Sequence, residues 1–155
     1  MLRDHLKKWS PRVETPSELR QAGALPYSIV DGRMAFLLIT SRRSGKWIFP
    51  KGAIEPGLTP WDSAANEALE EAGVAGEIEH TPIGSYRGSV GNDGAILVDI
   101  DLYPLRVTQQ FDTWREQGAR MRHWATLAEA KRLLTDSTIS RLAVKLHHLH
   151  VPGTK

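Results

Sequence analysis

The sequence contains no cysteine. Disulfides, thiolate metal sites and a cysteine nucleophile are therefore excluded. No apolar run approaches the length of a membrane span, and the opening stretch MLRDHLKKWSPRVETPSELR lacks the apolar core of a signal peptide. A cytoplasmic location is the default expectation. Neither sign of charge dominates: the formal net charge is +2 and the pI is near 9.0. That permits an anionic partner without demanding nucleic acid. Aromatic residues make up only 7% of the chain and form no stacking platform of the RNP kind, so a nucleic-acid-binding domain ranks low. Internal repeats and low-complexity segments are also missing.

The remaining composition is that of an ordinary globular chain, 41% hydrophobic and 25% charged over 155 residues. One domain with its own core is expected, over residues 22–150. Residues 1–21 are polar, with Pro11 and Pro16, and read as a tail or a peripheral segment. ALPYSIV and MAFLLITS flank Asp31-Gly32, a strong hairpin signal. SRRSGK is a basic loop, WIF a short strand stopped by Pro50, and residues 52–60 a loop rich in Gly and Pro. EIEHTPIGSYRGSV and AILVDIDLYPLRV read as strands around GNDG, and TQQFDTWREQGARMRH as an irregular connection. A capping box of Thr126 with Glu129 opens a helix at TLAEAKRLL. A last helix is expected from about Ser140, with Leu142, Leu146 and Leu149 on its apolar face. Strands and helices mix without strict alternation, which suggests a mixed sheet with helices on its faces.

The helix predicted over residues 60–72 has the clearest boundaries. Thr59 can cap it, Pro60 suits its first position, Asp62 completes a capping-box pattern, and Gly73 ends it. Trp61, Ala64, Ala65, Ala68, Leu69 and Ala72 share one side, which reads as core. Glu67, Glu70 and Glu71 share an adjacent arc. Like charges at that spacing are unfavourable, the C-terminal half of a helix disfavours anions, and residues 52–74 contain no lysine or arginine. A hard divalent cation would relieve the crowding. A solvated glutamate face fits the triple equally well; the loop before it tips the balance.

Gly52, Glu67, Glu70, Glu71, Gly73 and Val74 stand at the positions of the Nudix box, G-x5-E-x7-R-E-U-x-E-E-x-G-U, where U is bulky and apolar. WIFPKG and EALEEAGV are similar to the same family, so the chain resembles a Nudix hydrolase. The box depends on fixed spacing over a loop and a helix, which makes it far more specific than a short pattern. Leu58 stands where the box has Glu, Asn66 where it has Arg, and Ala68 at a bulky apolar position. These departures put rate, metal affinity and loop rigidity in question more than reaction class.

The resemblance implies an α+β fold, an α/β/α sandwich with a mixed β-sheet. It implies hydrolysis of a diphosphate linkage using Mg²⁺ or Mn²⁺, with Glu67, Glu70 and Glu71 as metal ligands and catalytic groups and the Gly52 carbonyl as a further ligand. The substrate class would be nucleoside diphosphate-linked compounds, dinucleoside polyphosphates or diphosphoinositol polyphosphates, and an RNA 5′ end stays within reach. The pattern Trp114, Glu116, Arg120, Arg122, Trp124 is similar to the branch acting on diphosphoinositol and dinucleoside polyphosphates. The alternative is a Nudix-fold ligand-binding or regulatory module with little turnover.

Arg42, Arg43, Lys46 and Lys51 precede the box and are the candidate phosphate clamp. Arg42 and Arg43 read equally well as a solvated loop; Lys51, bordering the box, is the stronger candidate. Arg87 and the WREQGARMRHW stretch add cations. Glu116 reads as solvated, Trp61 as core, and His147, His148 and His150 as surface residues without a role.

Overall fold

A computed structural model describes residues 19–91 and 93–151. The expected N-terminal segment therefore lies outside the described residues up to residue 18; Arg20 and Gln21 already belong to the first strand. Strand β1 (Arg20–Val30) and β2 (Arg33–Thr40) form the expected hairpin. Asp31 at φ 51° and Gly32 at φ 75° are both in the left-handed region, the geometry whose twist matches paired strands. Then follow β3 (Trp47–Ile48), β4 (Lys51–Ala53), α1 (Pro60–Glu67), β5 (Val74–Ile78), β6 (Gly84–Val90) and β7 (Ile96–Gln110). Strand β8 (Arg122–Thr126) leads into α2 (Leu127–Leu133), and α3 (Ser137–His150) follows.

Among the described residues the eight strands make one mixed sheet in the order β3-β2-β1-β7-β5, with β4 on β1, β6 on β7 and β8 on β2. The β1–β7 pair is parallel, Arg20 opposite Asp99 through Tyr27 opposite Arg106. Period-two alternation sends Phe36 and Leu38 to one face and Leu37 and Ile39 to the other. The first face packs on Ala130, Ile139, Ala143 and Leu146 of α2 and α3. The second packs on Ala64, Ala68 and Ala72. Helices thus cover both faces, the expected α/β/α sandwich. Among the described residues no helix is long and apolar enough to cross a membrane.

Four details differ from the expectation. Lys51–Ala53, read as the start of a loop, pairs with β1 because Gly23 lets Pro50 approach; Ala24 N–H donates to the Pro50 carbonyl at 3.0 Å. Strand β8 begins at the end of the stretch read as irregular, which closed at His123, and runs on to Thr126; its weak strand signal is offset by pairing with β2 from Ala35–Thr126 to Ile39–Arg122. Helix α3 starts at Ser137, where the Asp136 carboxylate accepts from the Thr138 and Ile139 N–H groups at 2.8 and 3.3 Å. Its buried stripe is Ile139, Ala143, Leu146 and His147; Leu149, roughly 100° round the helix, is 64% exposed.

Candidate functional site

The glutamate-bearing helix is held close to the sheet by small residues. Ala64, Ala68 and Ala72 share the second core cluster with Ala22 and Ala24 of β1. Thr59 caps the helix, its Oγ1 accepting from Asp62 N–H at 3.2 Å. Ser63, buried, accepts the Glu55 N–H at 3.0 Å and ties the preceding loop to the first turn.

Beyond Glu67 the winding widens. Ala68–Ala72 form a π-helical turn closed by Gly73 at φ 67°. Such turns are frequent at functional sites. The change of phase turns Leu69 outward, 42% exposed and not in the expected core, and drives Glu71 inward to 6% exposure. Segment 111–122 clamps this end. Glu116 N–H donates to the Glu70 carbonyl at 3.0 Å. Arg122 Nη1 donates to the Ala72 carbonyl at 3.0 Å, with its guanidinium 3.8 Å from the Trp114 ring centroid. A cation at the helix C-terminus offsets the dipole that disfavours the glutamates.

The carboxylates do not act as one equivalent trio. Glu67 lies against Gly52, where a Cβ would meet its Oε2 at 2.8 Å. Glu71 Oε1 accepts from Lys51 N–H at 3.1 Å. Glu70 faces outward and pairs with Arg115 at 3.1 Å. Among the described residues no three His, Asp or Glu side chains are arranged around one cation position.

The positive charge missing from residues 52–74 arrives from later in the chain. Arg120, 10% exposed, spends its guanidinium on three acceptors: Glu71 Oε2 at 3.1 Å, Glu116 Oε1 at 3.0 Å and the Thr40 carbonyl at 2.9 Å. The crowding is thus relieved in part by an internal arginine, which local sequence could not reveal. Glu116 is accordingly not a solvated acid; it is held by Arg120 and also lies 3.7 Å from Arg42.

Burial, then the charges of Glu71 and Glu70, push the Glu67 carboxyl up to about 8. Burial also raises Glu71, against the opposing pull of Arg120 and the Lys51 N–H. The folded, metal-free protein therefore keeps a Glu67 proton that the unfolded chain loses above its ordinary value of 4.5. The stability that this group contributes is full below that value and falls as pH rises towards about 8. Calorimetry in chelator is expected to show the midpoint falling over that range, with added Mg²⁺ flattening the fall. An unchanged midpoint would show that the carboxylates are not strained.

Gly52→Ala tests the contact with Glu67. The obstructed atoms are the end of a flexible side chain, so folding should survive while the carboxylate is displaced. Roughly tenfold weaker Mn²⁺ binding by calorimetry, with little change in melting temperature, is the expected result.

Glu71 and Arg120 open onto a cavity of about 610 Å³. One wall comes from the 41–48 loop and Lys51, the other from β6 and the start of α3. All four expected clamp residues, Arg42, Arg43, Lys46 and Lys51, line it, joined by Arg87. Lys51 is half-buried, its Nζ 3.4 Å from Gln21 Oε1; burial lowers its pKa and Glu71 opposes the shift. Arg43 reaches across to the β6–β7 turn, where a Cβ on Gly94 would lie 2.6 Å from its Nη1. Arg87 pairs with Asp99 at 3.0 Å. Tyr86 and Asp136 also line the cavity and were not expected. Nothing local marks them: Tyr86 faces inward from a strand, and Asp136 lies ahead of the point, about Ser140, where the last helix was expected to start. Trp61 is partly buried in the second core, its ring stacked 4.6 Å from that of His80. His147 is buried rather than at the surface, since it falls on the packed stripe of α3.

Comparison with known proteins matches this geometry to one family. The family model described as "NUDIX domain" matches residues 19–144. Nudix hydrolase 21, chloroplastic, of Arabidopsis thaliana is 32% identical over 130 residues, 81% of this chain and 65% of the relative. Diphosphoinositol polyphosphate phosphohydrolase 3-beta of Bos taurus is 30% identical over 100 residues, 63% of this chain and 58% of the relative. The chain thus spans less than two thirds of the length of these curated relatives. The crystal structure of the C. elegans Ap4A hydrolase shares the fold at a TM-score of 0.61 and 22% identity, covering 84% of this chain and 97% of that one. The match over residues 19–144 takes in both layers of helices, the glutamate turn and most of the basic cavity, and on it the chain belongs to the NUDIX domain family.

Proposed function

We propose that this chain hydrolyses a phosphoanhydride with the help of Mg²⁺ or Mn²⁺. The observation that carries the reading is the junction of two opposite fields. The buried Glu71, with the half-buried Glu67 beside it, opens onto a cavity whose walls carry Arg42, Arg43, Lys46 and Lys51. The donor set suits a hard ion: it is all oxygen, and the missing Cβ of Gly52 lets the Glu67 carboxylate lie against that residue, whose carbonyl would be the further ligand. Glu67, Glu70 and Glu71 would hold the ion, Glu70 by leaving Arg115. When bound, the ion supplies charge neutralisation at the diphosphate and activation of the attacking water.

The chain's own groups do the rest. Lys51 and the three cations of the 41–46 loop draw in the polyphosphate and fix its orientation, which supplies much of the catalysis in phosphoryl chemistry. Arg120 keeps Glu71 aimed at the cavity. A glutamate of the trio accepts the proton of the attacking water. The names of the relatives favour diphosphoinositol or dinucleoside polyphosphates, with nucleoside diphosphate-linked compounds as the wider class.

A second reading, a ligand-binding module with little turnover, is favoured by Arg120, which already engages Glu71 and Glu116. Phosphate release from dinucleoside polyphosphates, nucleotide sugars and inositol pyrophosphates, with Mg²⁺ or Mn²⁺, separates the two. Turnover of any of these supports hydrolysis; tight binding without turnover supports the module.

A further inference from the structure

The glutamate turn sits between two helical registers. Gly73 N–H is shared between the Ala68 carbonyl, five residues back, and the Leu69 carbonyl, four back and 3.1 Å away. The first bond belongs to a π turn, the second to an α turn. The π register is rare on its own, so contacts from outside the helix must select it.

Those contacts come from segment 111–122. The Glu70 carbonyl accepts from Glu116 N–H at 3.0 Å, and the Gly73 carbonyl from Phe111 N–H at 2.8 Å. Arg122 Nη1 donates to the Ala72 carbonyl at 3.0 Å and reaches the Gly73 carbonyl at 3.4 Å. Among these donors Arg122 is the side chain, and Trp114 backs it, with the guanidinium 3.8 Å from the ring centroid. A Cβ on Gly73 would lie 2.8 Å from both the Trp114 ring and Arg122 Nη1, so the pair closes directly over the end of the turn. Tryptophan is an unfavourable filler there, because its Nε1–H is enclosed without a partner among the described residues. Another aromatic ring would fill the space without that orphan donor. What tryptophan adds is the strongest aromatic face for a cation.

We propose that Arg122, seated on Trp114, is the positioning residue of the glutamate turn: by holding the Ala72 and Gly73 carbonyls it selects the π register, which carries Glu71 inward beside Glu67 and so sets the affinity for the divalent ion. The assignment rests on the metal-dependent reading above and deepens it. In the α register Leu69 would fall on the core side with Ala65 and Ala72, as regular spacing dictates, and Glu71 would move off the buried arc. The exposure of Leu69, 42% here, therefore reports the register. Were Arg122 only a staple on the helix end, its loss would fray the turn and expose Leu69 further. Lysine keeps the charge at the helix C-terminus but can neither span two carbonyls in one plane nor stack flat on the ring.

The chain has no cysteine, so Leu69→Cys supplies a single thiol whose alkylation rate reads the register. Alkylation is followed in chelator, with and without Arg122→Lys. Mn²⁺ affinity is measured by calorimetry on the unaltered protein, Arg122→Lys and Trp114→Phe. With Arg122→Lys the thiol should react several-fold more slowly, and Mn²⁺ should bind roughly tenfold more weakly. Trp114→Phe removes the orphan donor but weakens the cation contact, so melting temperature should hold while Mn²⁺ affinity falls about two- to fivefold. Faster or unchanged alkylation with Arg122→Lys would overturn the proposal. So would Mn²⁺ affinity that is unchanged in both variants, or that falls only in step with melting temperature. A protein that takes up no Mn²⁺ in any form would overturn the metal reading instead, whereas the alkylation rates, taken in chelator, decide the register by themselves.

Discussion

Replacing Arg120 by alanine is expected to destabilise the protein by about 3–5 kcal/mol. The reason is asymmetric. Its guanidinium, only 10% exposed, serves Glu71 and Glu116 together, and its removal leaves two largely buried carboxylates facing each other beside Glu67. The Thr40 carbonyl loses its partner as well. Urea unfolding monitored by tryptophan fluorescence measures the loss. Mg²⁺ should restore part of it, because a dication can replace the lost charge. A loss below about 1 kcal/mol would mean that the carboxylates have another source of compensation.

The opposite end of the same pair should behave differently. Glu71→Gln is expected to lower phosphate release by at least about 10²–10³-fold while the protein still folds. Arg120 keeps Glu116 and Thr40 as acceptors, so no charge is left alone. The crowding around Glu67 also falls, which offsets the lost ion pair. Melting temperature should change by no more than about 2–4 °C. Glu70→Gln should give a similar rate loss with even less effect on folding, since Glu70 is half-exposed and its partner Arg115 is solvated. Wild-type rates in either variant, on a substrate the unaltered protein cleaves, would remove the glutamates from the chemistry.

The parts of the fold that sequence revealed are those written in local chemistry. Asp31-Gly32 demanded a hairpin because both residues tolerate positive φ. Thr59, Pro60 and Asp62 marked the start of α1, and Thr126 with Glu129 that of α2, because caps act over three residues. That Arg42, Arg43, Lys46 and Lys51 would share one cavity was foreshadowed for the same reason: the loop before the box carries the first three and runs directly into Lys51. What escaped was set at long range. The π turn has no local signature; its wide end is held by the Glu116 N–H and by Arg122. Leu69 pointed outward because the phase shifted beneath it. Strand β8 exists because β2 offers an edge to pair with. Glu116 looked solvated because its counter-ions, Arg120 and Arg42, are brought to it by folding. Tyr86 carried no signal at all, since a strand tyrosine is usually core.

The reach of Arg120 has a consequence for how the protein is made. Its bond to Thr40 joins residues 80 positions apart, and its bond to Glu71 spans 49. Synthesis proceeds from the N-terminus, so the acidic turn leaves the ribosome well before its counter-ion. For that interval the emerging segment carries negative charge that Lys51, ahead of it in the chain, offsets only in part. Free magnesium in the surroundings is the obvious temporary substitute, and the yield of folded protein from a cell-free reaction should be lower when a truncation ends ahead of Arg120, whatever the catalytic competence of the product.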